Sequence, residues 1–184
     1  MNHPVVTVFG SAQIPEGDPR YQRAELAGRL LAEAGFAVCS GGYQGLMAAV
    51  SRGCQAAGGP TIGVTLKTFD PRPCNPWIDQ EIKAPSYLAR MERMIGLGQG
   101  YLVLDGGIGT LTELGMAWSL LQIGEIPRRP CVLLGEAWSQ FLTFSRSHLV
   151  VREADYALLA CAADAAEAVR RLAEAVRLLA EAAR

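Results

Sequence analysis

The sequence predicts an α/β protein: a Rossmann-like, doubly wound parallel sheet with helices on both faces, built as a single domain over residues 1–184. Three observations lead there. Short β-branched runs alternate along the chain with longer segments of helical period. The runs are apolar throughout rather than at every second residue, as in strands covered on both faces. The 184 residues, 50% hydrophobic, suffice for one substantial core and are too few for two ordinary domains.

Taken in order, "VVTVFG" (5–10) reads as a strand and "RYQRAELAGRLLAEAG" (20–35) as an amphipathic helix stopped by Gly35. "FAVCSGG" (36–42) is the second strand, "GLMAAVSRGCQAAGG" (45–59) the second helix and "TIGVTL" (61–66) the third strand. "YLVLDGG" (101–107), "PCVLLG" (130–135) and "YALLA" (156–160) supply further strands, with helices between them. Segment 67–86 holds four prolines and no clear period, so it is expected to be an ordered loop serving as a lid or specificity element. The alanine-rich tail 163–184 carries Val169, Leu172, Val176 and Leu179 on one stripe and reads as a closing helix.

Charge and composition exclude several functions. A net charge of −1 gives no footprint for nucleic acid or an anionic membrane. No apolar run approaches the ~20 residues that span a bilayer, and "MNHPVVTVFG" lacks the pattern of an export signal, so the cytoplasm is the expected compartment. The five cysteines (39, 54, 74, 131 and 161) are scattered, without the spacing of a zinc or redox site. With His3 and His148 the only histidines, no metal is expected.

Three strand-to-helix junctions are rich in small residues: "FGSA" (9–12), "SGGYQG" (40–45) and "DGGIGT" (105–110). Glycine lets backbone N–H groups approach a ligand, and the following helix offers its positive end to an anion. Grouped at one sheet edge, such loops suit a nucleotide monophosphate or sugar phosphate. A dinucleotide fingerprint fails, because Thr112 stands where GxGxxG needs its last glycine. A P-loop fails for want of Gly-Lys-Ser/Thr. Lys67 and Lys83, the only lysines, both lie in the irregular segment, a poor place for a pyridoxal phosphate Schiff base. Thr110 to Glu113 has the spacing of a capping box, so Glu113 reads either as a helix cap or as a rigidly aimed catalytic carboxylate.

These residues resemble a known family. "DGGIGTLTE" is similar to the PGGxGTxxE motif of the LONELY GUY (LOG) proteins, long labelled lysine decarboxylases. "SGGYQGLMAAVSRGCQAAGG" resembles that family's GGGxxGLMGxVAxAAxxxGG, "VTVFGSA" its opening strand and serine-containing loop, and "RMERMIGLGQGYLVL" its RKxxMxxxADAFIAL stretch. The resemblance covers residues 5–135 and implies hydrolysis of the N-glycosidic bond of a nucleoside 5′-monophosphate, AMP or a cytokinin ribotide, to free base and ribose 5-phosphate. It implies a catalytic pair at Arg90 and Glu113 and a phosphate-binding motif at Gly106, Gly107, Gly109 and Thr110, with Ser11, Gly42, Gly45 and Met47 as further substrate contacts. It also implies a homodimer and no cofactor.

Cleaving that bond builds positive charge on the ribose, which a carboxylate at position 113 would stabilise. Arg90 cannot give up a proton, so its expected part is positioning and electrostatic stabilisation; a solvated face or an ion pair is the plain alternative. Arg93 is a weaker candidate. Three positions depart from the family pattern: Asp105 stands for proline, Met91 for lysine and Ser40 for glycine. The first two are expected to make the pocket more negative and weaken phosphate binding. That leaves open a non-catalytic alternative, a nucleotide or molybdenum-cofactor carrier of the same fold. Within segment 67–86, Trp77, Asp79 and Glu81 are candidate base contacts, with ordinary packing the competing reading.

Overall fold

The structure is a computed structural model in which residues 3–182 are described; residues 1–2 and 183–184, the ends of the expected domain and tail helix, lie outside them. Seven strands form one all-parallel sheet: β1 (Val5–Phe9), β2 (Ala37–Ser40), β3 (Thr61–Leu66), β4 (Gln80–Ala84), β5 (Gly100–Val103), β6 (Cys131–Leu134) and β7 (Leu159–Ala162). Their spatial order is β4-β3-β2-β1-β5-β6-β7. Helices α1 (Pro19–Glu33), α2 (Leu46–Ala56), α3 (Tyr87–Leu97), α4 (Ile108–Ile123), α5 (Glu136–His148), α6 (Glu153–Tyr156) and α7 (Ala165–Ala182) connect or follow them. The doubly wound Rossmann-like fold expected from sequence is the fold observed.

The continuous apolar strands divide their side chains between two cores. Val6, Val8, Leu102, Leu104, Val132 and Leu134 point to a core shared with α1, α2 and α7. Phe9, Tyr101, Val103, Cys131 and Leu133 alternate with them and pack on α3, α4 and α5. These inner strands are thus covered on both faces, which is why their sequences show no polar alternation.

Two expectations are corrected. Segment 67–86 is not irregular throughout: Lys67–Phe69 forms a 3₁₀ turn, and Gln80–Ala84 is β4, paired with β3 from Ile62↔Gln80 to Leu66↔Ala84. As an edge strand, β4 turns only Ile82 and Ala84 inward and leaves Gln80, Glu81 and Lys83 in solvent. That polar composition, between prolines, concealed it and also suits an exposed edge. Near the C-terminus the strand runs over Leu159–Ala162 rather than 156–160. Tyr156 belongs to α6, where its buried hydroxyl meets Ser145 Oγ at 3.1 Å.

Strand order reverses at β1, whose neighbours are β2 and β5. The chain leaves β1, β2 and β5 at one sheet edge through the three glycine-rich junctions. In an open α/β sheet this is the place for a ligand.

Candidate functional site

A cleft of about 720 Å³ opens at that edge. Its floor includes Gly10 and Ser11 after β1, its flank Tyr43 and Met47 after β2, and its far wall Gly106–Thr110 at the head of α4. Arg90 of α3 and Glu113 of α4 enter it from the side.

The head of α4 is open. Gly107 takes the N-cap position without a side-chain cap, and no acidic residue occupies the first turn. The early N–H groups of this helix therefore face the cleft without intrahelical acceptors, and the dipole adds to their pull on an anion. The capping-box reading is corrected here: the helix starts at Ile108, so Thr110 and Glu113 lie inside it. The close approach of Gly106 explains the early start. A Cβ on Gly106 would sit 2.1 Å from Thr110 Oγ1, so only glycine lets Thr110 fold back over the loop.

Glu113 is therefore a buried side chain one and a half turns into α4, with 7% of its surface exposed. Arg90 is equally enclosed. Its Nε donates to the Val64 carbonyl at 2.7 Å, which leaves Nη1 to lie 3.6 Å from Glu113 Oε1. Burial pushes the Glu113 carboxyl up to about 7, with Arg90 opposing the rise. Desolvation thus favours the protonated form well above the usual carboxylate range, a perturbation common among carboxyls in functional clefts.

The seat of Arg90 depends on Gly41. A Cβ there would fall 1.8 Å from Arg90 Nη2 and 2.7 Å from Met47 Sδ. Gly42 and Gly45 do not line the cleft. Both take positive φ, 76° and 68°, and shape the turn instead. Through that turn Leu46 N donates to the Ser11 carbonyl at 2.8 Å.

Of the residues expected at the site, Ser11, Met47, Arg90, Gly106, Gly107, Gly109, Thr110 and Glu113 thus share one cleft, whereas Gly42 and Gly45 stand behind it. Arg93 is exposed and outside the lining. Trp77, Asp79 and Glu81 do not reach the cleft: Asp79 accepts from Thr61 N at 2.9 Å, and Thr65 Oγ1 donates to Glu81 at 2.5 Å. Packing is their part.

The expected accumulation of negative charge is also corrected. Met91 is wholly buried in the core beneath α3, so the missing lysine takes nothing from the cleft. Asp105 is outside the lining and bound by Arg23 of α1, Nη2 to Oδ2 at 2.5 Å. Sequence reasoning missed Arg20 and Arg72, which add cationic groups to the lining, and Phe69, which also lines it, as well as Gly41, which seats Arg90 from behind. The adjacent Gly41–Gly42 pair was the available signal for the first glycine; nothing local in "DPRP" distinguished Arg72. Among the described residues, no group of three or more His, Cys, Asp or Glu could hold a metal, and no helix is long and apolar enough to cross a membrane.

Comparison with known proteins agrees with this architecture. The model of the SLOG cluster4 family matches residues 3–123. A cytokinin riboside 5′-monophosphate phosphoribohydrolase of Rhodococcoides fascians is 30% identical over 136 residues, 71% of this chain and 67% of that protein. One from Arabidopsis thaliana is 34% identical over 131 residues, 68% of this chain and 60% of its own length. Among solved structures, the molybdenum cofactor carrier protein of Chlamydomonas reinhardtii superposes with a TM-score of 0.73 at 24% identity, covering 96% of this chain and 99% of that one. This last likeness is one of fold. The matched residues take in all three glycine-rich junctions, and this chain belongs to the SLOG cluster4 family of LOG proteins.

Proposed function

We propose that the chain is a nucleoside 5′-monophosphate phosphoribohydrolase, a hydrolase that splits the N-glycosidic bond of AMP or a cytokinin ribotide. Water adds across the bond, and the products are free base and ribose 5-phosphate. The observation that carries this reading is the approach of Arg90 and Glu113, 3.6 Å apart, inside a cleft whose far wall is the uncapped head of α4. The names of the curated relatives point to the same reaction.

In this reading the 5′-phosphate lies on the N–H groups of Gly107–Thr110, with Ser11 beside it. The ribose lies under Glu113, whose carboxylate stabilises the charge that develops at C1′ and hydrogen-bonds the ring hydroxyls. Arg90, permanently charged, holds Glu113 in place and balances negative charge on the substrate. No metal or organic cofactor enters. The same reading takes the chain as a single domain that works as a homodimer in the cytoplasm.

A panel of nucleoside monophosphates, assayed chromatographically for liberated base, tests it. Base release from at least one of them, abolished in a folded Glu113→Gln variant, is the expected result. Undiminished release in that variant would remove Glu113 from the chemistry. The second reading is a carrier that holds a phosphorylated pterin or nucleotide without cleaving it, favoured by the nearly end-to-end likeness of fold to the carrier protein. No turnover of any monophosphate, with a phosphorylated pterin retained through gentle purification, would decide for it.

A further inference from the structure

We infer that Arg72 is the specificity-determining residue for the base: its guanidinium, laid over the Tyr43 ring with Phe69 beside it, forms the subsite that receives the flat heterocycle. The inference rests on the proposed cleavage of a nucleoside monophosphate and adds what that reading leaves open, the place and chemistry of base recognition.

The sheet edge sets the order of the subsites. The α4 head follows β5, while the turn bearing Phe69 and Arg72 follows β3, with β2 and β1 between them. Three interstrand steps of ~4.8 Å put these ends about 14 Å apart, a span that a phosphate, a ribose and a base laid end to end would fill. Arg90, bonded to the carbonyl of Val64 on β3 and reaching Glu113 on α4, bridges the interval where the sugar belongs. The phosphate takes the α4 end, so the base takes the β3 end.

That end has the right chemistry. Arg72 Cζ lies over the Tyr43 ring in cation–π fashion, 5.3 Å from its centroid, and the Phe69 ring is tilted against Tyr43 at 5.6 Å. Tyr43 is buried and Phe69 is 47% exposed, so Tyr43 is the backing on which the guanidinium rests, while Phe69 and Arg72 offer free flat faces. Among the described residues Arg72 has no acidic partner within salt-bridge distance, whereas Arg20 is held by Asp18 and Arg90 faces Glu113. A planar cation fits a heterocycle whose ring nitrogens gain negative charge as the glycosidic bond breaks.

The subsite is also fixed in place. Tyr43 OH accepts from Leu66 N at 2.8 Å, and buried Asn75 ties both sides of the turn: its N donates to the Gly42 carbonyl at 2.8 Å and its Nδ2 to the Tyr43 carbonyl at 2.9 Å. Arg72 N closes the turn on the Phe69 carbonyl at 2.8 Å.

Calorimetric titration of AMP and of ribose 5-phosphate tests the assignment, using Glu113→Gln protein to prevent turnover and the same protein carrying Arg72→Ala or Phe69→Ala. Arg72→Ala should weaken AMP at least about tenfold, the order of one base-stacking contact, and leave ribose 5-phosphate within about twofold. Phe69→Ala should weaken AMP in the same selective way. Parallel loss of both ligands, or loss of neither, would overturn the assignment of Arg72 while leaving the proposed reaction intact. If the parent binds neither ligand, the proposed reaction itself fails, and this inference with it.

Discussion

Arg90 and Glu113, from helices packed on the same face of the sheet, meet at 3.6 Å with less than a tenth of either side chain exposed. The pair is not a surface ion bridge. One partner is always charged, and burial raises the other to about 7 against the pull of that charge. A carboxyl held near its midpoint can ionise when positive charge develops beside it, as on a ribose losing its base.

This shift sets opposite pH dependences for activity and stability. The folded carboxyl titrates near 7 against 4.5 for an unperturbed one, so the folded state favours the proton. Its contribution to stability is present below 4.5 and is lost as pH rises through 7, up to about 3 kcal/mol in all. Activity that needs the carboxylate should instead rise over that range, with an acid limb near pH 7. Chemical denaturation of wild type and Glu113→Gln between pH 4.5 and 8 checks the first part: the variant should lack the decline. An acid limb near 4.5 in kcat/KM, which reports the free enzyme, would contradict the second.

Gly41→Ala should impair catalysis far more than folding. The added methyl would fall 1.8 Å from Arg90 Nη2 and 2.7 Å from Met47 Sδ, both far out on side chains, so these side chains move rather than the backbone. Misplacement of a positioning group by about 1 Å can cost 10²-fold in rate. The expected outcome is a fall in kcat of about that size with Tm within a few degrees of wild type. A variant of undiminished kcat would mean that Arg90 can act from elsewhere.

Arg52 illustrates stability without chemistry. It donates through Nε to Glu25 at 3.0 Å, forms an ion pair with Glu16, and lies over the rings of Tyr21 and Trp77 at 5.1 and 5.6 Å. Arg52→Ala should destabilise the fold by about 1–2 kcal/mol, and Arg52→Lys should recover only part of this because the flat, forked cation is lost. Urea unfolding of the two variants, with kcat close to wild type in both, is the check.

The sequence made the sheet legible because its strands are buried on both faces and stand out as unbroken apolar runs. It made the glycine junctions legible for the same reason: only backbone requirements put so many glycines after strands. β4 was hidden because an edge strand has one buried face, and Ile82 and Ala84 are too few to set a period. The cap reading of Glu113 failed because local spacing cannot show that Thr110 folds over Gly106 and moves the helix start to Ile108. Arg72, Phe69 and Tyr43 were illegible as a group, since what joins them is the return of the chain through β3, not their order in sequence. Charge counting failed for a related reason, because position 91 turns inward and Asp105 acquires a partner from 82 residues away.

That last partnership yields the remaining prediction. Asp105 stands one residue before the glycines proposed to hold the phosphate, where an unpaired carboxylate would repel it. Arg23 Nη2 binds it at 2.5 Å, with the two side chains 34% and 16% exposed, so the pair presents little net charge to the cleft. The backbone of Asp105 also accepts from Ser11 N at 3.0 Å, joining the loops after β1 and β5 independently of the side chain. Arg23→Ala should therefore leave the loop in place but free a negative charge beside the phosphate. KM for the monophosphate should rise about three- to tenfold, the order of 1 kcal/mol for a partly exposed charge, and the effect should shrink with added salt. Arg23→Ala combined with Asp105→Asn removes both charges and should return KM toward wild type, a non-additivity that a purely structural role for Arg23 would not produce. If the double variant is as impaired as the single one, repulsion by Asp105 is not the cause.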